Sequence, residues 1–237
     1  MPSGARVATL LSAEEGLVEA FVFGGGKSKL RSLASPWHYG RAWIYRDAAK
    51  GLVKLTDFDP LREFPDIRGD LGAIAAASFA SEFLLATCAL GGDWADALDL
   101  ALGALSAIDE AARGRDRCAV DRAVSLFALR ALDAMGLMPD PGECAACAGA
   151  IRRDALHSYS RGSGGFACAR CAEADHDAVP VPQGAIAWLE AAGRRPFIEA
   201  VRVGLADEAR HALKAMALDL AAKAANSPLK TLNSGLL

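Results

Sequence analysis

Four cysteines constrain this chain more than any other feature. They stand as Cys144-Ala-Ala-Cys147 and Cys168-Ala-Arg-Cys171, with twenty residues between the pairs. A zinc ion takes four ligands in a tetrahedron, with Zn–S near ~2.3 Å. Two cysteines two residues apart can curl both thiolates onto one ion, and a second such knuckle completes the shell. Gly149 and the Gly164-Gly165 pair are the expected turn residues. Paired disulfides are disfavoured in a reducing cytoplasm. A redox Cys-x-x-Cys normally opens a helix in a thioredoxin-like unit, and that pattern is absent. Four thiolates leave no open coordination position, so the metal expected at Cys144, Cys147, Cys168 and Cys171 is a structural zinc. Cys88 and Cys118 lie in helical apolar runs and are expected to be packed thiols.

The rest of the chain divides by pattern. Half of its 237 residues are apolar, enough for a sizeable core. Short apolar or alternating runs at 6–11, 17–23, 30–34, 41–45 and 52–56 read as strands, separated by turn clusters. About five short strands suit a small barrel. From position 57 the period changes to that of a helix. Helices are expected over 71–90, 93–112 and 118–135, with Asp93 and Asp116 as starts and Gly91 and Gly136 as stops. Further helices are expected over 183–192, 196–203 and 207–225. The expected units are a barrel-like front at 1–56, a helical domain at 57–142, a zinc insert at 143–182 and closing helices at 183–237. The fold class is therefore α+β, with several domains.

Charge follows the same division. Residues 1–56 carry eight Lys/Arg against four acids, and residues 57–142 carry seven Arg against fifteen acids. A basic front and an acidic middle point to different partners. The front contains Gly24-Gly-Gly-Lys-Ser-Lys-Leu-Arg31, which approaches a phosphate-binding loop. That loop needs a glycine five positions before the Gly26-Lys27-Ser28 unit, and Phe21 stands there. What remains is Lys27, Lys29 and Arg31 at alternate positions. On a strand they would share one face, a stripe suited to a polyanion or simply a solvated edge. Trp37, Tyr39 and Trp43 lie among these cations. Trp43 is expected in the barrel core, and Trp37 is left open between core and base stacking.

Catalytic constellations were not found. There is no Gly-x-Ser-x-Gly elbow and no nucleotide fingerprint, and His38, His157, His176 and His211 are scattered. Neither His157 nor His176 is followed by the glutamate a zinc deaminase needs. The expectation is a binding protein, not an enzyme. No uncharged apolar run reaches membrane-spanning length, and no signal-peptide pattern opens the chain, so a cytoplasmic setting is expected.

The ordered set of features resembles the RecO family of bacterial recombination mediators. Its carriers are Gly16-Leu17 with Phe23-Gly24 and Lys27–Arg31, Gly51–Leu55, Phe79-Ala-Ser-Glu82, Pro139 before Cys144, Gly164–Cys171, and Ser227-Pro-Leu-Lys-Thr231. The resemblance implies an oligonucleotide-binding (OB) barrel at the front. It also implies binding of single- and double-stranded DNA, strand annealing, and loading of RecA with RecR onto strands coated by single-stranded-DNA-binding protein, at the nucleoid. Lys27, Lys29, Arg31 and Arg41 would meet phosphates. Arg122 and Arg130 would receive the coating protein's acidic C-terminal peptide, with salt bridges inside the acidic domain as the plainer role. The family begins with one more strand before the region matching Arg6–Leu11. Either this chain starts late or its barrel is trimmed, and a trimmed barrel exposes an edge. A zinc-ribbon adaptor that binds only protein is the competing reading.

Overall fold

The computed structural model describes residues 6–24, 28–92, 94–225 and 227–237. The expected helix start at Asp93 lies outside these residues, as does Lys27. Strands β1 (Arg6–Ser12) and β2 (Gly16–Val22) form an antiparallel hairpin. Strands β3 (Tyr39–Asp47) and β4 (Leu52–Arg62) form a second. β2 joins β4 in parallel, so the sheet runs β1-β2-β4-β3. β4 continues six residues beyond position 56, where the sequence pattern placed the end of the front unit.

The expected five-stranded barrel is not what forms. Among the described residues there is no closed barrel, only this open four-stranded sheet. The fifth predicted strand, 30–34, is instead part of a short helix, α1 (Lys29–Leu33). Two patterns compete in that stretch. Lys27, Lys29 and Arg31 alternate as a strand would, but Leu30 and Leu33 are spaced as one face of a helical turn. Burial decides between them. Leu30, Leu33 and Ala34 pack against Ala20, Val22, Leu55 and Phe58 on the inner face of the sheet.

A 3₁₀ turn over Pro65–Gly69 leads into the helical body. Helices α2 (Leu71–Ala86), α3 (Trp94–Gly114) and α4 (Arg117–Ala134) appear where the period placed them. Asp116 caps α4 as expected, its Oδ1 accepting from Ala119 N at 2.9 Å. Asp70 caps α2 in the same way, accepting from Ala73 N at 2.8 Å. Gly136 stops α4, and Leu137 N reaches back to Leu132 O at 2.7 Å. α2 ends four residues before the expected point. Cys88 through Gly92 all take positive φ, and Ala89 N turns back onto Leu84 O at 2.7 Å. That turn carries Cys88 to the surface, and Cys118 is half-buried, so neither is the packed thiol expected from its apolar neighbours.

Strands β5 (His157–Ser160), β6 (Gly165–Ala167) and β7 (Ala178–Val181) form a small sheet ordered β6-β5-β7, with α5 (Ala169–Glu173) beside it. Helices α6 (Gln183–Ala192), α7 (Phe197–Arg202), α8 (Asp207–Ala224) and α9 (Lys230–Asn233) complete the chain. One apolar core runs through the helices and into the cysteine segment. It joins Phe79, Phe83 and Phe127 to Tyr159, Phe166 and the buried Cys144. The alanine-rich helix faces let these elements approach closely, and the aromatics fill what remains.

The front sheet is fastened to this body by specific contacts. Trp37 Nε1 donates to Ser81 Oγ on α2 at 3.2 Å, and Arg62 donates to Ser106 Oγ on α3 at 2.7 Å. Arg68 donates to Pro36 O at 2.9 Å. Gly16 holds φ +71°, and a Cβ there would come within 2.6 Å of the Trp94 indole. A side chain at this turn would push the hairpin off α3.

Candidate metal centre and nucleic-acid face

The cysteine segment brings its two pairs together. The sulfurs of Cys144, Cys147, Cys168 and Cys171 all lie within 4.8 Å of one another, and Cys147 and Cys168 are 4.0 Å apart. In a tetrahedral zinc site with ~2.3 Å bonds, sulfurs stand about 3.8 Å apart, so the set is close to ligand geometry. Backbone geometry builds the two knuckles. Ala148 N donates to Cys144 O at 2.7 Å, and Cys144 N to Gly149 O at 2.9 Å. The left-handed position in the first knuckle is Ala148, with φ 54°, not the expected Gly149. Ala145 N donates to Phe166 O at 2.8 Å and ties one knuckle to the other. Gly165 is required there, because a Cβ on it would meet Ala145 Cβ at 2.7 Å.

The electrostatics suit a cation. The Cys168 N–H points at Cys144 Sγ at 3.4 Å, and this bond is the largest of several that bring the Cys144 thiol down to about 6. Hydrogen bonds with Cys168 and Cys147 lead the effects that push Cys171 up to about 12. Crowded thiols cannot all ionise without a positive charge among them. Four soft sulfur donors at this spacing fit zinc, with Cys144 at the buried end and Cys147 exposed.

The structure distributes the expected phosphate-binding cations differently from a single stripe. Lys29 and Arg31 sit on helix α1, and residues two apart on a helix point to widely separated directions. Lys29 is exposed, while Arg31 donates to Gly24 O at 2.9 Å. Arg41 is exposed on β3, opposite Asp59. These positions do not form one row.

Arg122 and Arg130 are both engaged with their own chain. Arg122 Nε donates to Val201 O at 2.7 Å, its guanidinium lies 3.6 Å from Asp116, and its side chain is 11% exposed. Arg130 donates to Ala192 O at 2.9 Å and to Arg195 O, and lies over the Phe197 ring at 5.4 Å. Burial lowers its pKa below the ordinary guanidinium value. Both arginines pin α7 and the turn before it. Arg130 also lines a surface groove of about 380 Å³ with Leu90, Leu100 and Phe197 on its walls and Asp96 and Asp99 beside them.

Sequence reasoning misplaced Trp43, which it expected in the core. Trp43 is 49% exposed and Tyr45 54% exposed, both on the outer face of β3, and Trp43 is not in the core. Apolar residues read as core unless strand register is known, and here the register sets their face. The inner face belongs to Ile44 and to its partner Leu55. Trp37, left open, is half-buried between α2 and the sheet.

Residues 68–232 match the family model described as the recombination protein O C-terminal domain. The DNA repair protein RecO of Anaeromyxobacter sp. (strain K) is 33% identical over 186 residues, covering 78% of this chain and 70% of that protein. The RecO of Anaeromyxobacter sp. (strain Fw109-5) is 32% identical over 216 residues, covering 89% of this chain and 82% of the relative. That of Myxococcus xanthus is 29% identical over 206 residues, covering 86% and 79%.

Proposed function

This chain belongs to the RecO family, and from that premise we propose that it acts in DNA repair and recombination as a mediator rather than a catalyst. The observation that carries the reading is the family match across the helical body and cysteine segment, joined to a front sheet that keeps exposed cations and aromatic rings. In this reading the protein binds single- and double-stranded DNA and anneals complementary strands. With RecR it helps load RecA onto strands coated by single-stranded-DNA-binding protein. Phosphates are met by Lys27, Lys29 and Arg41. Arg31 shapes the loop through its bond to Gly24.

The four thiolates of Cys144, Cys147, Cys168 and Cys171 hold a structural zinc. The metal cross-links a segment whose own sheet strands are only three and four residues long. The acidic C-terminal peptide of the coating protein docks in the groove beside Arg130. Leu90, Leu100 and Phe197 offer apolar walls there, and one guanidinium faces the carboxylates. Asp96 and Asp99 oppose an acidic ligand, which limits its affinity. Arg122 is held by Val201 and Asp116 and serves the fold.

Fluorescence anisotropy with a labelled single strand of ~30 nucleotides, run over several salt concentrations, tests the reading. Binding that weakens as salt rises is expected, because cations on the protein release counterions from the phosphates. A variant with Lys27, Lys29 and Arg41 changed to Ala should bind more weakly, with a shallower salt slope. Absence of binding at low salt by folded protein would overturn DNA binding and leave the protein-only adaptor.

A further inference from the structure

We propose that the outer face of the front sheet is a stacking platform for unpaired nucleobases, with Trp43 and Tyr45 as its principal rings. The inference rests on the DNA-binding reading above and specifies which nucleic acid the sheet prefers and how. Register makes the platform. Val7 stands opposite Phe21, Phe21 opposite Lys54, and Lys54 opposite Tyr45, so one row crosses all four strands on a single face. Trp43 follows two residues before Tyr45, on the same side. The face is open at both edges, with Val7 46% exposed on β1 and the indole and phenol exposed on β3.

A register shift between Trp43 and Ile44 adds one residue to β4 at this point, and Thr56 Oγ1 donates to Trp43 O at 2.9 Å. Such a bulge locally increases twist and re-aims the neighbouring side chains. Here it leaves Ile44 facing inward against Leu55 while Trp43 stays outward.

The chemistry of the row points to single strands. Bases present faces only when unpaired, and aromatic side chains stack on them with little regard to sequence. Residues i and i+2 of a strand stand about 6.7 Å apart. That is twice the ~3.4 Å rise between stacked bases, the interval at which a ring and a base alternate. Lys54 sits in the middle of the row, with Nζ 5.3 Å from the Phe23 ring centroid, and gives a phosphate a cation within reach of the rings. Asp57 and Asp59 line the same face beyond Trp43. Arg41 stands opposite Asp59 at that end, so the sugar-phosphate chain has a cation on either side of the two rings, Lys54 opposite Tyr45 and Arg41 beyond Trp43.

The test uses the full chain and two labelled probes of equal length, an oligo-dT strand and an abasic strand that keeps phosphates but lacks bases. Wild type should bind oligo-dT more tightly than the abasic strand. Trp43→Ala/Tyr45→Ala should lose roughly tenfold or more in oligo-dT affinity per ring removed, with abasic binding and salt slope unchanged. Trp43→Phe/Tyr45→Phe should keep most of the preference for bases, which separates stacking from a general disturbance of the sheet. Equal oligo-dT affinity of wild type and the alanine variant would overturn the platform while leaving DNA binding intact. Equal losses on both probes would also overturn it. Failure of wild type to bind either probe would overturn the platform together with the DNA-binding reading.

Discussion

Tyr159 on β5 donates its hydroxyl to Asp219 Oδ2 on α8 at 2.5 Å. The same carboxylate oxygen takes Lys223 Nζ at 2.5 Å. Tyr159 is buried, so this bond fastens the cysteine segment to the last long helix from inside the core. Burial and the Asp219 carboxylate both push the phenol pKa up, and the hydroxyl stays a donor at every working pH. Tyr159→Phe should keep the ring packing and lose about 1–2 kcal/mol of unfolding free energy, read from urea denaturation. An unchanged midpoint would mean that Lys223 alone satisfies the carboxylate.

Asp219 also predicts a pH response. Burial pushes its pKa up, but the hydrogen bonds from Lys223 and Tyr159 outweigh this and leave the folded value lowered. A lowered folded pKa gives stability that is full above the ordinary Asp value of about 3.9 and is lost as pH falls through the folded value. Asp219→Asn should therefore flatten the stability curve between neutral and strongly acidic pH. A curve as steep as wild type would assign the acid loss to other carboxylates.

Glu82 holds the C-terminal segment. Its carboxylate accepts from Lys230 N at 2.7 Å, Thr231 N at 2.9 Å and Thr231 Oγ1 at 2.6 Å. Burial raises its pKa, and the bonds from Thr231 and Lys230 more than reverse that. Glu82→Gln can offer only one oxygen to these three donors. Faster amide exchange confined to residues 227–237 is the expected result. Protection equal to wild type would show that the buried Leu229 holds the tail by itself.

Metal removal tests the cysteine site. Purified protein should carry about one zinc per chain, and a chelator should lower its melting temperature, because ligand binding to the folded state alone stabilises it. Cys144→Ser should reproduce the loss without chelator. A thermal transition indifferent to chelation would sink the structural-metal reading.

Phe127 meets Phe79 and Phe83 edge-on, with ring centroids 6.2 Å away in each case, at the junction of α2 and α4. Phe127→Ala should cost about 3–5 kcal/mol, the usual toll of a large cavity among aromatics. Phe127→Leu should recover part of it. A loss below about 1 kcal/mol would mean that the alanine-rich helices close the gap by sliding together.

The sequence by itself determined the features that depend on near neighbours. Helical periodicity placed α2, α3, α4, α6 and α8 to within a few residues, because an apolar stripe repeating along one segment has only one way to be buried. Asp116 and Gly136 were legible as start and stop because capping is chemistry between residues a few positions apart. The grouping of the four cysteines was legible because each Cys-x-x-Cys pair can turn both its sulfurs toward one point. The small strands β5, β6 and β7 were not, since segments of three and four residues carry too little pattern.

Tertiary structure decided what required distant partners. Leu30 and Leu33 turned an alternating charged stretch into a helix because the inner face of the sheet needed covering, and that removed both the barrel's fifth strand and the expected row of cations. Arg122 and Arg130, read as candidate partner contacts with salt bridges inside the acidic domain as the plainer role, bond the carbonyls of Val201, Ala192 and Arg195 from sixty to eighty residues away. Trp43 went outward because strand pairing gave the inward position to Ile44 opposite Leu55. Strand register is fixed by pairing across the sheet, and a shift of one residue exchanges the two faces. No local pattern around Trp43 carries that information, so only the folded sheet could show which rings it offers to solvent.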